Sequence, residues 1–453
     1  MLRKILLLFI GLWLTGCTPD EGSTSQAVVW VQENAIPIST TQPGSSFADL
    51  QPLKAIIGEA RLVSLGEATH GTHEFFQMKH RLVEFLVEEM GFTELAIEAY
   101  WPQADLINDY VHTGRGDIEE LIAGLGYWPW RTEEMRNLIE WMRDYNARRG
   151  EAPPISFSGF DMQNVKLALN MVVAYFETVA PESADWAWGQ YDCYRPYQDY
   201  TWQQVSYGQQ PAETKAACRQ NLQAVHDNLS DHRVAYEGRS SPEAFANALQ
   251  GARLVLQNEA MAAVTEEGDF MTRERINRRD QAMAENVSWL LDQAGSSAKI
   301  ILWAHNAHIQ TTEWVFRGVS YTPMGVHLRE VYAEEMLVFG FSFYTGSFNA
   351  YDYDMETGDY NGLKSHPADH PPSDSYEEAF HWAGVPRFFL DLGQITGGAS
   401  GGNWLLIPHW LRLVGAEYDR DSQPEDNAYL LSLPEAFGVL VYIDETTPSM
   451  LLP

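Results

Sequence analysis

Short runs of apolar residues alternate with helical patterns along most of this chain. Five runs are typical of strands buried on both faces of a parallel sheet, and a sixth is a weaker candidate: RLVSLG (61–66), ELAIEA (94–99), ISFSGF (155–160), KIILWA (299–304), MLVFGFSF (336–343) and GVLVYID (438–444). Apolar residues recur at helical spacing over 74–90, 103–112, 132–148, 163–179, 212–235, 242–264 and 272–294. This alternation predicts an α/β fold with a mainly parallel sheet.

The spacing of the predicted strands indicates an insertion in this sheet. About 140 residues separate the third strand from the fourth, which is too many for one crossover connection. We therefore expect a helical lobe at about 163–298, inside one domain that spans 46–453. The segment 347–375 predicts a long irregular loop. The segment 188–210 is rich in Tyr, Trp and Gln, which fits either a substrate-facing loop or a decoration of the solvent side.

Acidic and imidazole side chains fall at the carboxyl ends of four predicted strands. In open α/β sheets, ligands bind outside this edge. One such residue can cap a helix or sit in the core, but four strands that share the pattern favour a catalytic cleft. In the order of the strands, these residues are Glu67 with His70, then Glu98, then Asp161, and finally His305 with His308.

The chemistry available at this edge is narrow. The chain has no GxSxG elbow, no P-loop and no dinucleotide-binding glycine fingerprint. Histidine and carboxylate suit general-base activation of water, in which a carboxylate orients the imidazole and stabilises the imidazolium. His70 is the preferred base because Glu67 lies three residues before it. The same histidines and glutamates could instead bind Zn²⁺ or Mn²⁺.

The first residues predict a signal for export rather than a part of the folded domain. Arg3 and Lys4 precede a short apolar stretch, and the sequence LTGC that follows resembles the lipobox of bacterial lipoproteins. Residues 1–16 would then be a signal peptide, and Cys17 would be lipidated. We expect 17–45 to be a tether with little structure. The absence of Asp after Cys17 favours the outer membrane of a Gram-negative bacterium, with the protein facing the periplasm.

The charge and the two remaining cysteines add to this picture. A formal net charge of −32 makes nucleic acid an unfavourable partner. Cys193 and Cys218 would meet an oxidising compartment, where a disulfide is favoured over two free thiols. Such a bridge would close a loop of about 25 residues and contribute about 3 kcal/mol.

Several blocks of the chain resemble the erythromycin esterase family, in the family's order. They span about 60 to 350 and include GEATHGTHEF, AIEAYWPQADLINDYV, WPWRTEEMRNLIEWMRDYN, FSGFDMQ, RRDQAMAENVSWLL and ILWAHNAHI. The resemblance implies a three-layer α/β/α fold, shared with the haem-binding lipoprotein ChaN. It also implies that His70 is the general base, and that Glu67, Glu98, His305 and His308 complete the catalytic set. Candidate substrate contacts are Lys79, Trp101, Asp161 and Arg279, whereas His73 and His80 are ordinary helix residues.

The function expected from these blocks is hydrolysis of a macrolide lactone or a related ester, without a resident cofactor. The substrate would be a small molecule, and the lipid anchor would place the enzyme at a membrane. Two other functions remain open at this point. One is a metal-dependent hydrolase or peptidase that uses the same residues. The other is an envelope lipoprotein that binds haem or another small molecule without catalysis.

Overall fold

Strands contributed by distant parts of the chain build one central sheet. The structure, a computed structural model, describes residues 21–199, 202–265, 272–316, 318–354, 357–395 and 402–453. Its strands are β1 (Ile36–Pro37), β2 (Leu62–Leu65), β3 (Glu94–Tyr100), β4 (Ser156–Asp161), β5 (Ile300–Trp303), β6 (Trp314–Phe316), β7 (Val319–Tyr321), β8 (Met336–Tyr353), β9 (Tyr360–Pro367), β10 (Arg387–Asp391), β11 (His409–Arg412), β12 (Glu417–Tyr418), β13 (Ala428–Leu431) and β14 (Val439–Thr446). The six predicted apolar runs are confirmed as β2, β3, β4, β5, β8 and β14.

The order of the strands brings the predicted site residues to one edge. Along the main path the order is β1-β10-β14-β8-β2-β5-β3-β4, and β9 and β12 also pair with β8. The stretch from β4 to β14 is parallel throughout, whereas β10 runs antiparallel to β14, and β1 runs antiparallel to β10. β2, β5, β3 and β4 are consecutive neighbours, so their carboxyl ends lie side by side.

Helices cover the sheet and fill the connections. They are α1 (Glu21–Asn34), α2 (Leu53–Ile57), α3 (His73–Met90), α4 (Trp101–Thr113), α5 (Ile118–Gly124), α6 (Glu133–Arg148), α7 (Lys166–Val179), α8 (Pro181–Tyr191), α9 (Trp202–Gly208), α10 (Ala212–Asp231), α11 (Arg233–Glu237), α12 (Pro242–Ala262), α13 (Arg273–Ala294), α14 (Asn306–Ile309), α15 (Met324–Tyr332), α16 (Tyr376–Trp382), α17 (Gly402–Leu405) and α18 (Leu433–Ala436). Within the described ranges, no helix is both long enough and apolar enough to cross a membrane.

Alternate strand residues pack into two apolar cores, one on each face of the sheet. Leu62 and Leu302 point to the core that α7, α12 and α13 cover, whereas Val63 and Ile301 point to the core beneath α3 and α6. This two-sided burial follows from the period of two along a strand. It gives the three-layer α/β/α arrangement that the resemblance implies.

The described part of the connection between β4 and β5 consists of helices and the turns that join them, without a strand. Helices α7 to α13 occupy this stretch, with one 3-10 turn at Arg195–Tyr197. Cys193, in the segment after α8, forms a disulfide with Cys218 in α10. The bridge therefore ties the Tyr- and Trp-rich segment to the helical lobe.

The prediction of an unstructured tether over 17–45 is wrong for the part that the structure describes. Residues 21–34 form α1, and Ile36 and Pro37 pair with β10. Ala27, Trp30 and Val31 recur on one face of α1 and are buried. That apolar stripe outweighs the Ser- and Gln-rich composition, because burying it favours a packed helix. Residues 1–16 and Cys17 lie outside the described residues.

The predicted irregular loop at 347–375 is also wrong over most of its length. Strand β8 continues to Tyr353, and β9 returns antiparallel to it over Tyr360–Pro367. Phe348 and Ala350 alternate inward and are fully buried, although the residues around them are polar. Backbone pairing to β8 holds β9, most of which is exposed, so apolar periodicity gave no signal for it.

Candidate active site

The turn after β2 places Glu67 against the turn after β5. A Cβ on Gly66 would lie 2.1 Å from Asn306 Oδ1, so only glycine fits there. The backbone N–H of Asn306 donates to the carbonyl of Glu67 at 2.9 Å. The side chain of Asn306 also bonds both backbone groups of Phe341 in β8. These contacts explain why GEATHG and AHNAH come together.

Glu67 is fully buried and has three donors. His70 Nδ1 lies 2.6 Å from Oε1, Trp303 Nε1 donates to Oε2 at 2.9 Å, and Lys79 Nζ also donates to Oε2. Burial on its own raises the pKa of Glu67, but the charge of Lys79 and the His70 bond outweigh it. They hold the pKa at about 2, so the carboxylate is ionised near neutral pH.

Lys79 lies beneath Glu67 and has no exposed surface. Its Nζ stands 4.0 Å from the centre of the Trp303 ring. Burial lowers the pKa of Lys79 to about 8, against the opposing effect of Glu67. A substrate has no access to this ammonium, so the predicted substrate contact is wrong. Lys79 keeps Glu67 ionised instead.

His70 is the partly exposed member of this cluster, with 14% of its side chain accessible. Nδ1 is turned inward to Glu67, and Nε2 makes no hydrogen bond with the residues that the structure describes. Because Glu67 is ionised, it favours the tautomer with the proton on Nδ1. That tautomer leaves the Nε2 lone pair available as a base.

His305 lies next to His70 but has both ring nitrogens engaged. The ring centres are 4.8 Å apart. Nε2 lies 3.1 Å from the carbonyl of Val414, and Nδ1 accepts the backbone N–H of Ala307 at the start of α14. Burial and the charge of His70 lower the pKa of His305 to about 3, so the ring is neutral. Its N–H is therefore committed to Val414 rather than free for an oxyanion.

A second polar network joins β3, β4 and α13. Arg279 Nη2 donates to Glu98 Oε1 at 2.7 Å and to Asp161 Oδ2 at 2.8 Å. Burial favours a higher pKa for Glu98, yet His308 and Arg279 hold this pKa well below its usual range. Asp161 is fully buried behind Arg279. A direct substrate contact through Asp161, as predicted, is therefore wrong, and its carboxylate holds the guanidinium.

His308 borders the second network. Its Nδ1 lies 2.8 Å from Asp280 Oδ1, and its Nε2 lies 3.4 Å from Glu98 Oε1 and 3.0 Å from Arg279 Nη1. Burial lowers the pKa of His308, but Asp280 and Glu98 raise it more, so the net shift is upward. With 13% of its side chain exposed, His308 can reach a bound molecule.

Trp101 directly follows β3 and is buried in the core, edge-on to Trp289 at 5.2 Å, so a substrate contact is wrong for it as well. His73 bonds Glu134, and His80 is buried beside Trp141, as expected of ordinary helix residues.

Sequence reasoning missed Trp303 and Val414. Trp303 lies two residues before His305, so it had a usable signal in the sequence. Val414 reaches His305 through its backbone carbonyl, which no residue type reveals.

The donor set does not fit a divalent metal. In the part of the chain that the structure describes, no group of three or more His, Cys, Asp or Glu residues is arranged to hold an ion. The carboxylate oxygens that would ligate it already accept hydrogen bonds from Lys79, Trp303 and Arg279. An added cation would meet two buried positive charges.

The fold and this edge define a three-layer α/β protein whose strand-end histidine is paired with an ionised carboxylate. The family model described as erythromycin esterase matches residues 87–446, and the chain belongs to that family. Membership makes it a hydrolase. Glu67 and His70 precede the matched segment, so their role is argued from geometry.

Relatives and solved structures agree with this membership. Over 374 residues the chain is 26% identical to erythromycin esterase type II from Escherichia coli, which covers 80% of this chain and 87% of that relative. A crystal structure of a Bacillus cereus protein has a TM-score of 0.81 and 29% identity, over 95% of this chain and 99% of that one. A structure of an erythromycin esterase EreC mutant in its open conformation has a TM-score of 0.71, over 92% of this chain and 99% of that one. Its sequence identity is 18%, so this similarity shows the fold alone.

Proposed function

We propose that this protein hydrolyses an ester or a lactone with water activated by His70. One observation carries the proposal: ionised Glu67 holds Nδ1 of His70 at 2.6 Å, while Nε2 stays unbonded within the described residues. This is the arrangement that a general base needs. A fixed tautomer and a stabilised imidazolium typically contribute 10²–10⁴-fold in rate.

The proposed reaction balances with one water. Nε2 of His70 takes a proton as the water oxygen bonds to the carbonyl carbon, which gives a tetrahedral anion. The carbon–alkoxide bond then breaks, and the imidazolium returns its proton to the leaving oxygen. An ester yields an acid and an alcohol, and a lactone yields one hydroxy acid. Arg279 supplies positive charge at the same sheet edge, which favours the developing oxyanion.

A macrolide lactone is the first substrate to test, since one relative is named an erythromycin esterase. Residues 18–453 are incubated with a fourteen-membered macrolide and with a panel of aryl esters and smaller lactones. Mass spectrometry follows the gain of one water, with His70→Ala alongside. Opening of the macrolide that depends on His70 supports the full proposal.

The other outcomes of this panel are equally decisive. Turnover of simple esters without macrolide opening supports the chemistry and rejects the macrolide as substrate. No turnover of any ester or lactone overturns the proposed hydrolysis. Binding of haem or another small molecule, the non-catalytic alternative, then becomes the function to test.

We also propose that Cys17 carries a lipid that anchors the protein to the outer membrane, facing the periplasm. The support is the LTGC sequence at the end of a short apolar run. Cells fed an alkyne-tagged fatty acid should label the wild-type protein but not Cys17→Ser. Membrane fractionation should place the wild type with the outer membrane, and equal labelling of both proteins would reject the anchor.

A further inference from the structure

A cleft of about 430 Å³ lies beside the catalytic edge and has no role in the proposed proton transfers. Four aromatic side chains line it: Tyr100, Tyr127, Trp128 and Tyr351. The Trp128 and Tyr351 rings meet edge to face with centres 6.2 Å apart, and those of Tyr100 and Tyr127 are tilted at 4.8 Å. Aromatic rings packed in this way give the cleft an apolar lining.

Polar side chains complete the lining. Asn164, Asp199 and Gln203 contribute amide and carboxylate groups, and Asn164 Nδ2 donates to Asp199 Oδ1 at 2.8 Å. No lining residue is basic. A phosphate or another anion would therefore find no countercharge, whereas a ligand with several hydroxyl groups would find both donors and acceptors.

The cleft is joined to the catalytic edge through Tyr127. Its hydroxyl accepts a hydrogen bond from Gln163 Nε2 and lies 3.4 Å from Asp161 Oδ2. Asp161 in turn holds Arg279, which bonds Glu98. The Tyr127 side chain thus connects the wall of the cleft to the polar network at the strand ends.

Two tryptophans of one short turn show a difference that points to a ligand. Trp130 Nε1 donates to the carbonyl of Glu98 at 3.2 Å, so its N–H is satisfied inside the fold. Trp128 Nε1, two residues earlier, is buried and has no partner among the described residues. Burying an unpaired N–H is unfavourable. Because Trp128 lines the cleft, an acceptor on a bound ligand that reached Nε1 would pair this N–H.

We propose that this cleft binds a saccharide unit of the substrate, which rests on the proposed function for the rest of that molecule. The C–H faces of a pyranose ring pack against aromatic rings, and its hydroxyl groups exchange hydrogen bonds with amides and carboxylates. The lining supplies both. A sugar oxygen would accept the N–H of Trp128.

The test measures binding without turnover. Saturation-transfer NMR and calorimetric titration use the full chain in detergent, with methyl glucopyranoside, methyl glucosaminide and cyclohexanol as probes. Both glycosides should bind more tightly than cyclohexanol, which has a similar ring and one hydroxyl. The difference between the two glycosides shows whether Asp199 selects an amino sugar.

Three variants locate the binding. Trp128→Phe keeps a ring but lacks the N–H, and we expect about tenfold weaker glycoside binding. Trp128→Ala should bind still more weakly. The matched control is Trp141→Phe, the same exchange on α6 beside Tyr145 and outside the cleft, which should bind like the wild type. Thermal melting verifies that each variant is folded.

Several results would overturn the saccharide site. Equal binding of cyclohexanol and the glycosides would mean a merely apolar cleft. Wild-type affinity in a folded Trp128→Ala would place the sugar elsewhere, and no glycoside binding to the wild type would remove the site. Failure of this proposal is distinguishable from failure of the hydrolysis, because an ester without sugar still reports on His70.

Discussion

Two buried carboxylates flank strand β5, and they are neutralised in different ways. Glu67 pairs with one lysine, Lys79, and accepts a hydrogen bond from His70, which reaches the surface. Glu98 shares the guanidinium of Arg279 with Asp161, and both of these acids are buried. The first network ends at His70 Nε2, which has no bond to any residue that the structure describes, whereas most polar atoms of the second network are paired within the fold.

This contrast distinguishes residues that take part in the proposed reaction from residues that hold the site in position. An ionised carboxylate can activate a base only if the base has a second atom that faces the reactants, and only the Glu67 network provides one. The Glu98 network fixes the ends of β3, β4 and β5 relative to one another, since Glu98 also accepts the backbone N–H of His305 at 3.1 Å. Its residues position the site, with His308 at its margin.

The largest expected effect is at His70. His70→Ala should lower kcat/KM for a hydrolysed ester by about 10³-fold, because it removes the base proposed to take the water proton. Steady-state kinetics measures the loss, and circular dichroism verifies the fold. His112→Asn, at the exposed end of α4, is the control and should keep wild-type rates. Activity within tenfold of the wild type in His70→Ala would reject His70 as the base.

The next effect concerns the stability that the network of Glu98, Asp161 and Arg279 provides. Arg279→Met leaves two buried carboxylates without their cation, and we expect a loss of about 3–5 kcal/mol in the free energy of unfolding. Lys79→Met should cost less, since His70 and Trp303 still donate to Glu67. Urea unfolding compares the two variants. A smaller loss for Arg279→Met than for Lys79→Met would reverse the proposed division of roles.

Ligands bind at the carboxyl ends of the strands in open α/β sheets, and this is why much of the site could be predicted from the sequence. Glu67, His70, Glu98 and His305 each sit within a few residues of an apolar run, and parallel neighbours bring such positions together. The fold followed from the same runs. Strands without apolar periodicity, such as β9, and a helix hidden in polar composition, such as α1, could not be predicted in this way.

Burial and long-range pairing account for what the sequence could not reveal. Lys79 has the sequence context of a surface lysine on an amphipathic helix, and only the fold shows that it lies under Glu67. Arg279 meets Asp161 across a long sequence separation. Nε2 of His305 bonds the carbonyl of Val414, which comes from a distant segment. Such partners are set by tertiary packing, which local spacing does not encode.

Lowering the pH should change how much the charges of Glu67 and Lys79 contribute to the stability of the fold. The pKa of Glu67 falls from 4.5 to about 2, so its contribution to stability is present above pH 4.5 and lost as the pH falls to 2. The pKa of Lys79 falls from 10.5 to about 8, so burying its charge costs stability below pH 8. The two effects oppose each other near neutrality. We therefore expect the pair to contribute little at pH 7 and to destabilise the fold below pH 4.5.

A double variant tests this balance. Glu67→Gln with Lys79→Met removes both charges, and its urea midpoint should rise above that of the wild type as the pH falls from 5 to 2. The difference between the two proteins should be smallest near pH 7. A difference that does not change with pH would contradict the assigned pKa shifts.

The smallest effect tests the neutral donor to Glu67. Trp303→Phe removes an N–H that lies 2.9 Å from Oε2 and keeps an aromatic ring beneath Lys79. We expect a loss of about 1–2 kcal/mol, less than in Lys79→Met, because the countercharge stays. In the Glu67→Gln background the loss should shrink, which a double-mutant cycle measures. An equal loss in both backgrounds would mean that the indole acts through packing against Lys79. Lys79 alone would then keep Glu67 ionised.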